Sequence, residues 1–143
     1  MIAGVDEVGR GCLAGPVIAA SVILKKPIKG LMDSKRLSSK KREDLSQIII
    51  ENSVFAIGAA DSHEIDQINI LQASLLAMQR SLEKLDMQPK KVLVDGNHIF
   101  ETSTEIEAIV GGDNLIPSIS AASIVAKVFR DRLMMAYSKE FPN

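Results

Sequence analysis

Two apolar runs, MIAGVDE (residues 1–7) and PVIAASVILKK (residues 16–26), are separated by only eight residues. A parallel pair of strands needs a crossover of a dozen or more residues, so a link this short leaves an antiparallel hairpin. The second run is rich in β-branched residues, which suit a strand. The periodicity then changes. SSKKREDLSQIIIENS opens on serines and places Leu45, Ile48 and Ile49 at helical spacing. VFAIGAAD reads as a third strand. In NILQASLLAMQRSLEKLD, the residues Leu71, Leu75, Met78, Leu82 and Leu85 recur at steps of four, three, four and three, a stripe that faces a core. KKVLVDGNH reads as a strand ending at Asp95-Gly96, and TEIEAIVGGD as a shorter strand ending in two glycines. PSISAASIVAKVFRDRLMMAYSKE reads as a long helix with Ser118 as its N-cap. Short early links imply antiparallel pairing and later helical crossovers imply parallel pairing. The expected fold is α/β, a mixed sheet with helices packed against it.

The length suggests one domain, and 24% charged residues suits a globular chain. There is no leader-like segment and no apolar run near ~18 residues, so the expected setting is cytoplasmic, with no membrane partner. The single Cys12 cannot close a disulfide within the chain; its neighbours offer no base, and it reads as a small apolar thiol. The net charge is −1, which excludes a bulk polycation, but its distribution is uneven. Residues 25–42 hold eight Lys/Arg and one acid, a local excess of seven positive charges that leaves eight negative ones for the remainder. That division suits a protein with a polyanion-binding side and an acidic site elsewhere. Its ordinary reading is a solvated, lysine-rich helix start.

The acids supply the chemistry. Asp6 and Glu7 lie in the first strand, Asp95 at a strand end before glycine, and Asp113 after Gly111-Gly112. Strand ends of open sheets are where ligand crevices form. Carboxylates brought together repel one another, and hard divalent cations with oxygen ligands relieve that repulsion. Two such ions about 4 Å apart can clamp the attacking and leaving oxygens of a phosphodiester displacement. Taken singly, each acid has a plain alternative; an Asp before Gly is usually a turn residue. Neighbours on a strand also point to opposite faces. Glu7 is therefore expected to leave regular strand geometry, helped by the Gly9-Arg10-Gly11 that follows.

GVDEVGRG, DSKRL, VDGN and GDNLIPSISAASIVAKVFRDR, in this order, resemble the type 2 ribonuclease H family, specifically bacterial ribonuclease HII. The resemblance runs from Ile2 to the end of the chain. DEVGRG separates it from the sister ribonuclease HIII group, which usually reads DESGKG. It implies the ribonuclease H-like fold, a mixed five-stranded sheet flanked by helices, in a single catalytic domain spanning residues 1–143. It also implies Mg²⁺- or Mn²⁺-dependent endonucleolytic cleavage of RNA/DNA hybrid, and of duplex DNA containing a ribonucleotide, by a monomer. Products would carry 5′-phosphate and 3′-hydroxyl ends. By motif match, Asp6, Glu7, Asp95 and Asp113 are the catalytic and metal-binding acids. Gly9, Arg10 and Gly11 match the loop that reads the ribonucleotide, through the 2′-OH that separates RNA from DNA. Ser34 and Lys35, with Ser123 and Lys127, are implied phosphate contacts. Family members usually run about a third longer and carry a tyrosine that packs on a sugar. Tyr137 precedes that region, so the chain is expected to be truncated at its C-terminus, and a binding form that does not cut is the rival reading.

Other polar residues have two readings. Ser120, Ser123, Lys127 and Arg130 make a stripe that faces either a phosphate backbone or solvent. Asn69 and Gln72 fit either a DNA contact or a helix cap with a solvated amide. Asp131 reads as an ion-pair partner, and His63 and His98 as surface residues.

Overall fold

Five strands form one sheet in the order β3-β2-β1-β4-β5. They are β1 (Ile2–Val8), β2 (Val17–Leu24), β3 (Ser53–Ala60), β4 (Lys91–Asp95) and β5 (Glu105–Ile109). The computed structural model describes residues 1–10 and 15–140, with only the backbone of residues 33–35. The expectations for Gly11 and Cys12, and for the side chains of Ser34 and Lys35, lie outside the described residues. As the short link requires, β1 and β2 are antiparallel, and so are β2 and β3. The later strands are parallel, β1 to β4 and β4 to β5. The mixed sheet expected from the order of periodicities is therefore the one found.

Helices cover both faces. Helix α1 (Ser39–Glu51) and the long α4 (Pro117–Glu140) lie on one side, and α2 (Ser62–Glu83) on the other. Strand alternation sorts the side chains between them. Ala3, Val5, Ala19, Val92 and Val94 pack with Ala73, Ala77, Met78 and Leu82 of α2. Ile18, Ala20 and Val22 pack with Leu45, Ile49, Ala121, Val125 and Val128. A further single turn, α3 (Gly112–Leu115), leads into α4, and a 3-10 turn spans Leu31–Arg36.

Two helix starts differ from the sequence expectation. Ser118 is not a cap: it lies inside α4 and is buried. The carbonyl of Ile116 accepts the first helical bond, from the N–H of Ser120 at 3.0 Å. Pro117 takes the first helical position, where its missing N–H costs nothing. Helix α2 begins seven residues earlier than its leucine stripe suggests. Asp61 and Glu64 form a capping box, each side chain accepting from the other's backbone N–H. Asn69 then interrupts the helix, at φ 74° and ψ 168°. Its Oδ1 accepts from the N–H of Gln72 at 2.9 Å, so the capping reading holds for Asn69.

Glu64 also receives a two-pronged contact from Arg80, at 2.8 and 2.6 Å, while Arg80 donates to the carbonyl of Ala59. The hydrogen bond from Arg80, then that from the Asp61 N–H, hold the Glu64 carboxyl down at about 2. A depressed carboxylate stabilises the fold above its unfolded value of 4.5, and that contribution is lost as the pH falls toward 2. Solvent screening keeps it small. Glu64→Gln is expected to flatten the acid limb of the stability–pH curve between those values. Thermal melts across that range check this; an unchanged slope would mean the pair has the same strength in the unfolded chain.

Candidate active site

The strand order reverses at β1. From β1 the chain steps first to β2 on one side, and the crossover through α2 later places β4 on the other. Such a switch point opens a crevice at the carboxyl ends of the two strands. The β1–β4 ladder ends at Val5 opposite Val94. The next residues are Asp6 and Asp95, so two acids continue adjacent strands about 4.8 Å apart. Gly4 pairs with Leu93 and faces α4, and Asp6 and Asp95, two residues further on, share that face. Gly96, at φ 115°, then turns the chain away.

Asp6 is 5% exposed and accepts from the backbone N–H of Glu7 at 2.8 Å. Burial, then the charges of Glu7 and Asp95, push its carboxyl well above the ordinary range. Burial raises Glu7 too, against the opposing pull of its bond to Asp6 and of Arg10, whose Nη1 stands 3.9 Å from Glu7 Oε1. The N–H of Asp113 donates to Asp95 Oδ1 at 3.1 Å, which binds the α3 turn to the end of β4. Asp6, Glu7 and Asp95 thus sense one another electrostatically, and Asp113 joins them through its backbone.

Glu7 does not leave the strand. The ladder with β2 continues through Glu7 opposite Ala19 and Val8 opposite Ile18. The Glu7 side chain therefore starts on the face opposite Asp6, and the contact between the two is the Glu7 N–H donated to Asp6 Oδ1, at the margin of β1 that β4 leaves open. Among the described residues, no three His, Cys, Asp or Glu side chains are gathered closely enough to cage an ion unaided.

The polar stripe of α4 divides. Ser120 is fully buried and its hydroxyl donates to the carbonyl of Leu31, holding the 3-10 turn against α4. Arg130 is also buried, and its Nε donates to the Pro16 carbonyl at 2.9 Å. Both are buried, so the solvent-face reading of the stripe fails for these two residues. Ser123 is half-buried, and Lys127, also half-buried, pairs with Asp131 at 3.0 Å, giving that acid the ion-pair role expected of it. His63 and His98 are exposed. The basic segment divides as well. The 3-10 turn Leu31–Arg36 packs against α3 and α4. Asp6 pairs with Ala20, which places Lys25 five residues, about 17 Å, along β2 toward the opposite end of the sheet.

The profile of the family described as Ribonuclease HII matches residues 3–143. Ribonuclease HII of Coxiella burnetii is 56% identical over 146 aligned residues, covering 100% of this chain and 72% of that protein. Its counterpart from Pelagibacter ubique is 54% identical and covered to 78%. Among solved structures, ribonuclease HII in the PCNA:RNase HII complex of Archaeoglobus fulgidus superposes with a TM-score of 0.84 at 25% identity, over 100% of this chain and 78% of that one. Ribonuclease H2 from Pyrococcus horikoshii gives 0.81 at 29% identity, over 98% and 76%. Bst-RNase HIII, solved in complex with Mn²⁺, shares the fold at 18% identity with a TM-score of 0.76, over 97% of this chain and 54% of that one.

Proposed function

This chain belongs to the ribonuclease HII family and is an RNA-cleaving hydrolase of the ribonuclease H type; from that premise we propose that it is a divalent-metal-dependent endonuclease. Its substrates would be the RNA strand of RNA/DNA hybrids and ribonucleotides embedded in duplex DNA. The observation that carries the reading is that Asp6 and Asp95 continue the paired strands β1 and β4 side by side, with Glu7 next to Asp6 and its N–H bonded to Asp6 Oδ1 at 2.8 Å.

The donor set fits Mg²⁺ or Mn²⁺. It is all oxygen, and burial together with the two neighbouring charges leaves Asp6 short of positive charge. Mg²⁺ keeps several waters and takes only one or two carboxylates plus phosphate oxygens. Asp6, Glu7, Asp95 and Asp113 are the proposed ligands. When bound, the cations would lower the pKa of the attacking water and stabilise the departing 3′ oxygen.

The chain's own residues do the rest. Asp6 and Asp95 are fixed by backbone N–H donors, so their carboxylates are pre-aimed. Gly9 and Arg10 lie within three residues of Glu7, where backbone groups can hydrogen-bond a ribose 2′-OH and a guanidinium can fork onto a phosphate. Since the 2′-OH serves recognition and water attacks, the products would carry 5′-phosphate and 3′-hydroxyl ends. Gly11, Ser34, Lys35, Ser123 and Lys127 complete the proposed nucleic-acid contacts, in an enzyme proposed to act as a monomer.

The test is incubation with duplex DNA carrying a single ribonucleotide, with and without Mg²⁺. Nicking at the ribonucleotide only in the presence of the metal is the expected result. Tight binding of the duplex without metal-dependent nicking would sink the proposal.

A further inference from the structure

The link between β1 and β2 leaves the sheet after Val8, which pairs with Ile18. Its two described arms are Gly9-Arg10 and Gly15-Pro16. One side chain from the far end of the sequence reaches both. Arg130 Nε donates to the Pro16 carbonyl at 2.9 Å. A Cβ placed on Gly9 would lie 2.7 Å from that same Nε and 2.8 Å from the Pro16 carbonyl oxygen. A Cβ on Gly15 would lie 3.1 Å from Arg130 Nη2. Both glycines hold positive φ, 107° and 91°, a conformation open to them without strain. The guanidinium fills the neck of the link, and the two glycines leave the room for it.

We infer that Arg130 is a positioning residue, which fixes the Gly9-Arg10 arm beside the acids by tying the opposite arm to α4. The inference rests on the proposed reading of Gly9–Gly11 as the ribonucleotide-reading loop. Arg130 is 7% exposed, whereas Lys127 is half-buried and Arg132 exposed on the same helix. Burial of a guanidinium is costly and persists where its donors are used. Its planar fork has a fixed geometry that an ammonium cannot reproduce. Arg10 follows Gly9 directly and points its Nη1 to within 3.9 Å of Glu7 Oε1. A loosened neck would therefore let Arg10 and the ribose-reading backbone drift from the acids, while the acids on β1, β4 and α3 keep their places.

The wild-type protein gives the first measurement. The Nε–H of Arg130 should exchange with solvent far more slowly than that of exposed Arg10 or Arg132. Arg130→Lys keeps the charge and most of the stem but loses the fork. In that variant, exchange of the backbone amides of Gly9, Arg10, Gly15 and Val17 should rise, with those of β4 unchanged. Mg²⁺ titration monitored at the carboxylates should also be unchanged. Turnover of the single-ribonucleotide duplex should fall about 10²-fold, the cost of misplacing a reacting group by ~1 Å, and mostly in kcat. Fast exchange at Arg130 Nε in the wild type would overturn the inference, even if the variant does not fold. So would a folded variant whose loop amides are unchanged, or one whose loop is loosened and whose kcat is intact. If the wild-type protein itself fails to nick the duplex, the proposed function falls, and the exchange measurements still decide the role of Arg130 in the loop.

Discussion

Asp6→Asn is expected to lower metal-dependent cleavage about 10³-fold, the scale of losing one placed electrostatic group, while making the metal-free protein more stable at neutral pH. The two effects have one cause. Asp6 is buried beside Glu7 and Asp95, and burial first, then those charges, raise its carboxyl well above 3.8. The folded state therefore holds the proton to higher pH than the unfolded chain does. Stability is fully present below 3.8 and is lost as the pH rises through the folded value, at up to about 1.4 kcal/mol per pH unit for one proton. Asparagine keeps the oxygen that accepts from the Glu7 N–H and removes the charge, so that loss should vanish. Divalent cation should rescue the wild type, by about 2.7 kcal/mol at a hundredfold excess over Kd, and the variant much less. Melts between pH 4 and 8, with and without Mg²⁺, measure all of this. A variant that cuts within tenfold of the wild type, or that melts lower at pH 7 without metal, would count against Asp6 as a ligand placed at a cost in stability.

What the sequence made legible follows from local rules. The hairpin could be read because eight residues cannot carry a crossover, and the end of β4 at Asp95 could be read because Asp95-Gly96 is a turn signal. The losses occurred where partners are distant. Ser118 looks like a cap from its own neighbours, but Pro117 and the carbonyl of Ile116 start the helix, and Ser118 is spent on packing. The buried face of α2 is partly built of Ala73, Ser74, Ala77 and Ser81, which a leucine stripe does not reveal. Those small residues suit Gly58, whose missing Cβ would lie 2.2 Å from the Ala77 carbonyl oxygen. The early start of α2 was visible in principle, since Asp61 and Glu64 have the capping-box spacing. Glu7 stays in the strand because β2 continues to pair with β1 through Val8 opposite Ile18, a property of another strand. Arg130 and Pro16 are 114 residues apart, and no local pattern announces their bond.

Gly4→Ala is expected to remove about 3 kcal/mol of stability, the upper part of the range for overpacking a core. For a chain of this size that lowers Tm by roughly 10 °C. The Cβ would lie 2.1 Å from the carbonyl carbon of Ser118 and 2.3 Å from the N of Ile119. Both are helix backbone, which cannot turn aside as a side chain can, so α4 must move off β1. The displacement would reach the acids. Ile119 Cδ1 lies 2.6 Å from where a Cβ on Gly112 would stand, and that same point is 3.4 Å from Asp95 Oδ1. Ile119 thus touches both the middle of β1 and the α3 turn whose Asp113 N–H holds Asp95. A shift of ~1 Å there should cost about 10²-fold in cleavage, measured well below the lowered Tm so that unfolding does not contribute. Two readings separate the packing claim from the site claim. If the variant melts like the wild type, α4 was never pressed against Gly4. If it melts lower yet cuts at full rate, the start of α4 stabilises the fold without positioning the carboxylates.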